Sequence, residues 1–439
     1  MIEIKNLLLL PPVKFIKYLK EKNINKFFFV FDDDKQKLIA SHQFLQPIAD
    51  YFTIDRRDFM SHEGWFCRVS DNFDMLMGAF IHRTNRGQAA GGVRYWSYDT
   101  TEDYFRDGLR LATGMTFKNA LAGLWWGGGK GVVSHNSQFN KNDIQVRTKI
   151  YQEYGTFMSS LNGCYVTAED VGTSVDDMAN VFSKTRFTTC IPSKFGGSGN
   201  PSVPTARGVI CGMEAAIDFL KMGTLEDKTI AVQGLGHVGE PLIEFMLEKG
   251  VKKIIGFDIN VSNIENVKNK FGGNNLDFRL VERNDLSAFS EECDIFSPNA
   301  TGAVLNDTTI PMLKSKIICG AANNQLEDTQ RDGKLLFEKG ISYVPDFLTN
   351  RMGIVTCANE QYGYINRDPL IELHFSKDWE HSIYNRTIQV LSESKKMKRP
   401  TVDIALKMAN KLSQENHPIF GHRGKEIIKS LTENKWHQQ

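Results

Sequence analysis

Two lysines in the segment 114–130 have the type and spacing to act on one small molecule. Lys118 follows Met115 by three residues and Leu111 by seven, which places it on the apolar face of a predicted helix. An ammonium there either reaches solvent or holds a buried anion. Lys130 follows three glycines, which let the backbone approach a ligand and direct the amine into a cleft. For either lysine alone, a structural role is as well supported as a functional one.

Together, the two lysines indicate chemistry on an amino acid. One ammonium stays charged and pairs with an α-carboxylate, while its desolvated neighbour titrates low and serves as a base. Asp170 is a third candidate, because the pair Glu169-Asp170 follows a strand-like run and precedes a glycine, as in a loop at a strand end. We expect Asp170 to exchange protons with the amino group of the substrate. The alternative is that it only caps the next helix.

A glycine-rich sequence of the form G-x-G-x-x-G lies between a strand-like run (229–233) and a predicted helix (238–249). Gly234 permits a tight turn, Gly236 lets the backbone approach a pyrophosphate, and Gly239 lets helix and strand pack closely. The helix start presents free N–H groups to phosphates, so we expect a dinucleotide here, with His237 and Val238 beside it. A histidine inside such a loop more often fills space than performs catalysis.

An acidic residue, Asp258, ends the next strand-like run (253–257), nineteen residues after the last glycine of that loop. A carboxylate at this place accepts hydrogen bonds from both ribose hydroxyls and repels a 2′-phosphate. The sequence therefore predicts NAD rather than NADP as the cofactor.

The composition excludes several classes of protein. The chain has 439 residues, enough for two or three domains, and its 53 Lys+Arg and 52 Asp+Glu leave a net charge of +1. It lacks the positive excess that nucleic acid or an anionic membrane surface attracts, and its apolar runs are too short to span a membrane. Seven dispersed cysteines without a CxxC pair indicate reduced thiols rather than disulfides or a metal site. We expect a cytoplasmic globular protein without a metal.

The elements that position these residues follow from the periodicity. The first half predicts a helix over 14–22, a strand over 27–31, a strand–turn–strand over 77–97 and a helix over 100–122 with Asp99 and Glu102 as its capping pair. Asp32-Asp33-Asp34 is interpreted as a solvated turn, not a metal site. Later strand-like runs (229–233, 253–257, 294–296, 316–319 and 342–344) alternate with helices, which predicts a parallel sheet. Helices over 375–415 surround a basic run (395–399), interpreted as a solvated helix end.

The ordered motifs resemble those of the Glu/Leu/Phe/Val dehydrogenase superfamily, and most of all its leucine dehydrogenase branch. The resemblance covers about residues 75 to 415. It depends on GGVRYW (91–96), GMTFKNALAG (114–123), GGGKG (127–131), TAEDVGTSVDDM (167–178), GSGNPSVPTARG (197–208), QGLGHVG (233–239), PNATGAVLN (298–306) and AANNQL (321–326).

The resemblance implies an α/β fold, with a Rossmann-type doubly wound NAD domain and an α/β substrate domain separated by a cleft. The substrate domain would be 1–190, the NAD domain 191–385, and the C-terminal helices (386–439) would return to the substrate domain. A homo-oligomer is expected. Lys130 would be the catalytic base, Lys118 the carboxylate anchor and Asp170 the proton-transfer partner. The resemblance places Thr205, Asn299 and Asn323 at the nicotinamide half of the cofactor and Asn324 near the substrate.

The substrate side chain is expected to be apolar. The glutamate branch has a lysine before the Gly-Gly pair, where this chain has Ala90, and a serine where it has Cys357. Neither residue here can pair with a buried γ-carboxylate, whose isolation costs several kcal/mol. Met115, Ala168 and Ile354 are expected to complete an apolar pocket. Sequence alone does not rank leucine, valine, phenylalanine or another apolar amino acid.

The predicted activity is reversible oxidative deamination of an amino acid to a 2-oxo acid and ammonia. Two features depart from the family. Asn350-Arg351-Met352-Gly353-Ile354 stands where the family has Asn-Ala-Gly-Gly-Val, and the first sixty residues exceed the leucine-type pattern. Trp125-Trp126 is interpreted as buried or interfacial packing. The alternatives are a glutamate dehydrogenase, a catalytically silent NAD-binding regulator of the same fold, and a structural or interaction protein.

Overall fold

A mixed seven-stranded sheet forms the first half of the molecule. The computed structural model describes residues 7–363, 365 and 367–439. The strands are β1 (Lys26–Asp32), β2 (Lys37–Ala40), β3 (Gly64–Val69), β4 (Leu76–Arg83), β5 (Ala89–Trp96), β6 (Gly127–Ser134) and β7 (Tyr165–Glu169). Their order is β2-β1-β3-β4-β6-β5-β7, and β5 runs parallel to both β6 and β7 while the other pairs are antiparallel. The helices here are α1 (Pro12–Glu21), α2 (Gln46–Thr53), α3 (Thr101–Leu121), α4 (Ile144–Ser160) and α5 (Val175–Phe182).

A second sheet of six parallel strands follows in the chain. It contains β8 (Thr229–Gln233), β9 (Lys253–Asp258), β10 (Leu276–Leu280), β11 (Ile295–Pro298), β12 (Ile317–Ile318) and β13 (Ser342–Tyr343), in the order β10-β9-β8-β11-β12-β13. The chain reverses direction across the sheet between β8 and β11, the position where doubly wound sheets bind dinucleotides. The predicted parallel sheet and the two-part α/β architecture are therefore confirmed.

Ten further helices accompany the second sheet and the C-terminal part of the described chain. They are α6 (Ser202–Leu220), α7 (Gly239–Glu248), α8 (Val261–Lys270), α9 (Thr329–Glu338), α10 (Asp346–Thr349), α11 (Met352–Glu360), α12 (Pro369–Leu373), α13 (Ile383–Met397), α14 (Thr401–Leu412) and α15 (Arg423–Glu433). Among the described helices, none combines the length and apolar character that crossing a membrane requires.

The capping pair predicted for α3 is wrong by one residue. The Thr100 hydroxyl accepts the N–H of Asp103, and the Asp103 carboxylate accepts the Thr100 hydroxyl. Glu102 instead accepts the Arg106 guanidinium within α3 and the hydroxyl of Tyr51, which ties α3 to α2. The cap belongs to Thr100 because it is the last extended residue before the helix.

Two charged runs behave as the sequence predicts. Asp32 accepts the backbone N–H groups of Asp34 and Lys35 and forms an ion pair with the Lys35 ammonium, which makes a tight solvated turn. The basic run 395–399 is exposed, and Lys398 ends α13 with a left-handed backbone at φ 53°. Each run serves to stop an element.

The first sixty residues supply an aromatic core of their own. Phe15, Phe27 and Phe29 pack with Trp65 and Phe105 on one face of the first sheet. The chain returns to this sheet at its C-terminus, where Trp436 packs edge-on against Phe66 and donates to the Ser160 hydroxyl. The extension therefore packs into the first sheet, to which it adds the strands β1 and β2.

The tandem tryptophans also have packing roles. Trp126 is buried in the core of the first sheet, whereas Trp125 is 40% exposed. The Arg86 guanidinium lies over the Trp125 ring at 4.1 Å from its centre, and that guanidinium forms an ion pair with Glu415. Trp125 thus helps to fix the segment after α14 to the first half of the molecule.

Two buried histidines make the fold sensitive to acid. His62 and His82 are fully buried with rings 4.7 Å apart, and they contact Leu109 and Thr116 of α3. Burial lowers the pKa of His62 to about 4, and burial together with the His62 charge lowers the pKa of His82 well below its ordinary range. The unfolded chain therefore binds more protons than the folded chain below about pH 6.5.

We expect the free energy of unfolding to keep the whole histidine contribution above about pH 6.5 and to lose it progressively as the pH drops toward 4. His62 alone contributes about 3 kcal/mol of this free energy. Urea unfolding between pH 7.5 and 4.5 measures this loss. In His62→Asn, whose amide cannot be protonated in this range, the free energy of unfolding should depend less steeply on pH. An unchanged slope in that variant would contradict the assignment.

Candidate active site

Most of the predicted site residues meet in one cavity of about 300 Å³. It lies between the half of the chain that forms the first sheet and the half that forms the second. It is lined by Met115, Lys118, Lys130, Ala168 and Asp170 from the first half, and by Thr205, His237, Val238, Asn323, Ile354 and Cys357 from the second. A neighbouring cavity of about 220 Å³ lies on the far side of the lysines and includes Asn324. A larger cavity of about 740 Å³ adjoins at Asn200 and Pro201 but contains neither lysine, so chemistry rather than size identifies the site.

Lys130 and Asp170 form a buried ion pair. Lys130 lies on β6 and Asp170 directly follows β7, and the Lys130 Nζ is 2.7 Å from the Asp170 Oδ2. Their side chains are 5% and 19% exposed, so little water competes for the contact. Asp170 does not cap the next helix, because the cap of α5 is Ser174, paired with Asp177.

The glycines before Lys130 have a different purpose from the one expected. A Cβ on Gly128 would lie 2.0 Å from the Thr116 hydroxyl of α3, and one on Gly91 would lie 2.0 Å from the Gly129 carbonyl oxygen. The run lets α3 and β5 pack directly on β6. Because α3 carries Lys118, this close packing brings the two lysines into one cavity.

Arg94 is a site residue that sequence reasoning missed. Its Nε lies 3.4 Å from Asp170 Oδ2, and its Nη1 donates to both oxygens of Asp107, which also accepts the Tyr98 hydroxyl. Burial opposes ionisation of Asp170, but the charges of Lys130 and Arg94 outweigh it and lower the pKa of that carboxyl. The signal was the arginine in GGVRYW, two residues after Gly92 on the same strand face.

We expect Arg94→Gln to raise the pKa of the Asp170 carboxyl, because one of its two cationic neighbours is lost. The acidic limb of the kcat–pH profile should move upward by about one pH unit. Tyr98→Phe is the matched control, since it removes a hydrogen bond to Asp107 and leaves Arg94 in place. A profile in which Arg94→Gln lowers kcat equally at every pH would show only a structural role.

Lys118 lies in the last turn of α3 and donates to the Asn323 Oδ1 at 3.2 Å. Burial lowers its pKa to about 8; the Asp346 carboxylate opposes this shift and the like charge of Lys130 adds to it. Sequence reasoning assigned a depressed pKa to the base, whereas the structure places one on the expected carboxylate anchor. Asp346, also missed, is buried and accepts the Asn324 N–H and the Tyr343 hydroxyl.

An apolar wall completes the cavity. Met115, Ala168, Ile354 and Cys357 line it as predicted, together with Cys190 and Pro201. Ala90 is fully buried within β5 and is not among the lining residues; Gly92, two residues later on the same strand face, lies in the wall instead. The prediction for Ala90 as a wall residue is therefore wrong.

The altered segment 350–354 keeps the cavity open. Asn350 donates to the Asn323 Oδ1, and Gly353 and Ile354 line the cavity from α11. Arg351 points away and is fully buried, where it donates to the carbonyl oxygens of Leu121 at the end of α3 and of His381. Burial lowers the pKa of Arg351 to about 9. The departure from the family motif thus anchors α3 rather than reshaping the pocket.

The glycine-rich loop has room for a dinucleotide. Gly234 adopts φ 93°, and a Cβ on Gly239 would lie 2.1 Å from the Gly234 carbonyl oxygen, so the turn is tight as predicted. A Cβ on Gly236 would meet nothing closer than the Asn263 amide at 3.7 Å, which leaves open space above the loop. This geometry fits a pyrophosphate at the start of α7.

Asp258 lies beside this loop at the end of β9 and already accepts three hydrogen bonds. They come from the N–H groups of Leu235 and Asn260 and from the Asn263 amide. Asn299 directly follows β11, on the other side of β8, where it donates to Ser297 and accepts the Ala321 N–H. Asp258 therefore shapes the loop in addition to its predicted role toward ribose.

The chain belongs to the Glu/Leu/Phe/Val dehydrogenase family. The family model described as "Glu/Leu/Phe/Val dehydrogenase, dimerisation domain" matches residues 68–187, and the one described as "Glutamate/Leucine/Phenylalanine/Valine dehydrogenase" matches residues 196–417.

Among curated relatives, the leucine dehydrogenase of Geobacillus stearothermophilus is 41% identical over 330 residues, which is 75% of this chain and 84% of the relative. The phenylalanine dehydrogenase of Lysinibacillus sphaericus is 35% identical over 79% of this chain and 87% of its own length. The crystal structure of L-tryptophan dehydrogenase from Nostoc punctiforme superposes with a TM-score of 0.65 at 32% identity, covering 80% of this chain and 96% of that one.

Proposed function

We propose that this protein is an NAD-dependent dehydrogenase that reversibly deaminates an apolar L-amino acid to its 2-oxo acid and ammonia. The observation that carries the proposal is the meeting of Lys118, Lys130 and Asp170 in a cavity that also reaches the glycine-rich loop at His237 and Val238. Leucine, phenylalanine and tryptophan dehydrogenases among the relatives support an apolar substrate.

Each residue of the constellation has a separate task. Lys118 binds the α-carboxylate, which restores a partner to its desolvated ammonium. NAD, when held at the glycine-rich loop, would supply the acceptor for the hydride that leaves Cα. Before hydride transfer, the Asp170 carboxylate takes a proton from the substrate ammonium, and Lys130 gives its own proton to solvent so that its amine is neutral. Lys130 then takes a proton from the water that attacks the resulting imine carbon, and Asp170 returns its proton to the departing nitrogen. Because the Lys130 Nζ and the Asp170 Oδ2 are 2.7 Å apart, a proton can pass directly between the two groups.

The wall of the cavity favours an apolar side chain over a carboxylate. A γ-carboxylate against Ala168, Ile354 and Cys357 would find no cation there in the described residues, and leaving it unpaired costs several kcal/mol. The wild-type protein should therefore form NADH with L-leucine, L-valine or L-phenylalanine and much less with L-glutamate at equal concentration.

The same substrate panel tests the alternatives. A preference for glutamate would favour a glutamate dehydrogenase, and tight NAD binding without turnover of any L-amino acid would favour a silent regulator. The buried ion pair at the site speaks against the regulator, since two charges held out of water require a use or a compensating gain.

Cofactor preference has its own test. Asp258→Ser should weaken NAD binding by about tenfold, because it removes both the expected ribose hydrogen bonds and the support of the loop at Leu235. It should also narrow the preference for NAD over NADP, because the repulsion of a 2′-phosphate is lost. Asn263→Ala, which removes a loop contact but no charge, is the control and should leave the preference unchanged. A wild-type protein that used NADP better than NAD would contradict the assignment.

We propose the boundaries 1–190 for the substrate domain, 191–385 for the NAD domain and 386–439 for the returning C-terminal helices. Contacts of Arg83 with Asn410 and Ser413, and of Glu63 with His422, support the return to the first sheet.

A homo-oligomer is proposed because the family model for 68–187 is described as a dimerisation domain. Light scattering on the purified protein would test it. Seven free cysteines support a cytoplasmic location.

A further inference from the structure

Two cysteines lie against each other in the wall of the proposed substrate cavity. The Sγ atoms of Cys190 and Cys357 are 2.9 Å apart, and both residues line the cavity while being almost fully buried. Cys190 belongs to the segment that leads from the first sheet to α6, and Cys357 lies on α11. The thiol pair therefore spans two elements that are separated by more than 160 residues of chain.

Hydrogen bonds that do not involve the thiols hold the two segments that carry them together. Glu360, one helical turn after Cys357, accepts the N–H groups of Cys190, Ile191 and Ser198 at 3.0, 3.2 and 2.8 Å. The Gln361 amide donates to the Thr188 carbonyl oxygen from the same helix end. Four hydrogen bonds that involve no sulfur thus fix the segment 188–198 against α11. These hydrogen bonds, and not the sulfur contact itself, therefore hold the two thiols close together.

We infer that Cys190 and Cys357 form a dithiol site that a two-electron oxidant such as hydrogen peroxide converts to a disulfide, and that this disulfide inactivates the enzyme reversibly. The effect on activity rests on the proposed function, whereas formation of the disulfide does not. The sulfur atoms must approach by only about 1 Å to reach the length of an S–S bond.

The reaction is balanced with peroxide as the oxidant. One thiolate attacks a peroxide oxygen and breaks the O–O bond, which gives a sulfenic acid and one water molecule. The second thiolate attacks the sulfenic sulfur and displaces its oxygen as a second water molecule. Two electrons pass from sulfur to oxygen, and the two thiol protons end on the two waters. The contact with Cys357 and burial raise the pKa of the Cys190 thiol, so the reaction should accelerate as the pH rises.

The disulfide would act on the cavity in two ways. It draws together two residues of the wall that receives the substrate side chain. It also ties the connection between the two halves of the molecule covalently to α11, which restrains closure of the cleft. We therefore expect turnover of an apolar amino acid to fall by about tenfold or more, with recovery on treatment with dithiothreitol.

Peptide mapping of the oxidised wild-type protein tests the site without reference to activity. Trypsin releases Cys190 in the peptide 187–194 and Cys357 in the peptide 352–367. After peroxide treatment of the native protein, we expect these two peptides joined in one ion that dithiothreitol separates. A map in which either cysteine is instead found as free thiol or sulfonic acid, with no joined peptide, overturns the proposal.

Variants test the consequence. Cys190→Ser and Cys357→Ser should each keep their own untreated activity after peroxide exposure, while Cys211→Ser should remain as sensitive as the wild type. Cys211 is the matched control because its thiol lines the adjoining 740 Å³ cavity and contacts the Phe375 carbonyl oxygen rather than another sulfur. Inactivation that persists in both serine variants overturns the link to turnover. If the wild type deaminates no amino acid but forms the joined peptide, the proposed function fails and the dithiol site stands.

Discussion

Replacing Lys130 by alanine should lower kcat by about 10³-fold or more, while binding of NADH stays within about twofold of wild type. The expected loss is large because Lys130 is the group proposed to take a proton from the attacking water once its own proton has left, and because its charge in the resting pair helps to keep Asp170 ionised. The glycine-rich loop lies on the other sheet, so the cofactor should be unaffected. Stopped-flow turnover and NADH fluorescence titration measure the two quantities.

Lys130→Arg separates charge from proton transfer. An arginine keeps the positive charge beside Asp170 but is protonated at every accessible pH, so it cannot act as a base. We expect it to be as inactive as the alanine variant. If Lys130→Arg kept more than a tenth of wild-type kcat, Lys130 would be an electrostatic partner and the base would lie elsewhere.

Lys118→Ala should raise KM for the amino acid by about 10- to 100-fold with a smaller change in kcat, because a charged hydrogen bond to the carboxylate is present in ground and transition states alike. The pKa of about 8 adds a sharper test. The ammonium is charged below this pH and neutral above it. Binding of a carboxylate inhibitor that lacks an amino group should therefore weaken progressively above about pH 8.

The inhibitor removes the titration of the substrate amine from that measurement. Lys118→Arg, which stays charged, is the matched control and should show inhibition that does not depend on pH between 7 and 10. Inhibition in the wild type that is flat across the same range would mean that Lys118 is not the carboxylate anchor. A fall in kcat with unchanged KM in Lys118→Ala would contradict the division of labour between the lysines.

The sequence was most informative where a local rule determines structure. The strand–glycine–helix unit at Gly234 and the acid at Asp258 follow one such rule, and the structure has them as expected. The two lysines were found from their neighbours, and their meeting in one cavity is confirmed. What the sequence did not show are contacts between distant segments, such as Arg94 with Asp107 and Asp170 or Asp346 near Lys118.

Two interpretations differ from the structure for a related physical reason. Ala90 is predicted in the cavity wall by its place before Gly-Gly, but it shares a strand face with Gly92 and is fully buried in the core of the first sheet, so its position along β5 and not its face keeps it from the cavity. The glycines before Lys130 were assigned to a ligand when the constraint is the packing of α3 on β6. Side-chain direction and the distance between elements depend on tertiary packing that periodicity does not encode.

The tight packing around β6 affects how tolerance to substitution should be interpreted. At Gly91, Gly128 and Gly129, even one methyl group would collide with backbone or with α3. A saturation mutagenesis screen selecting for growth on the protein's activity would therefore lose these positions as completely as Lys130, although none of the three supplies a side chain to the reaction. Screening separately for abundance would divide the two groups: the glycine variants would disappear from the soluble pool, whereas the lysine variants would accumulate as folded, inactive protein.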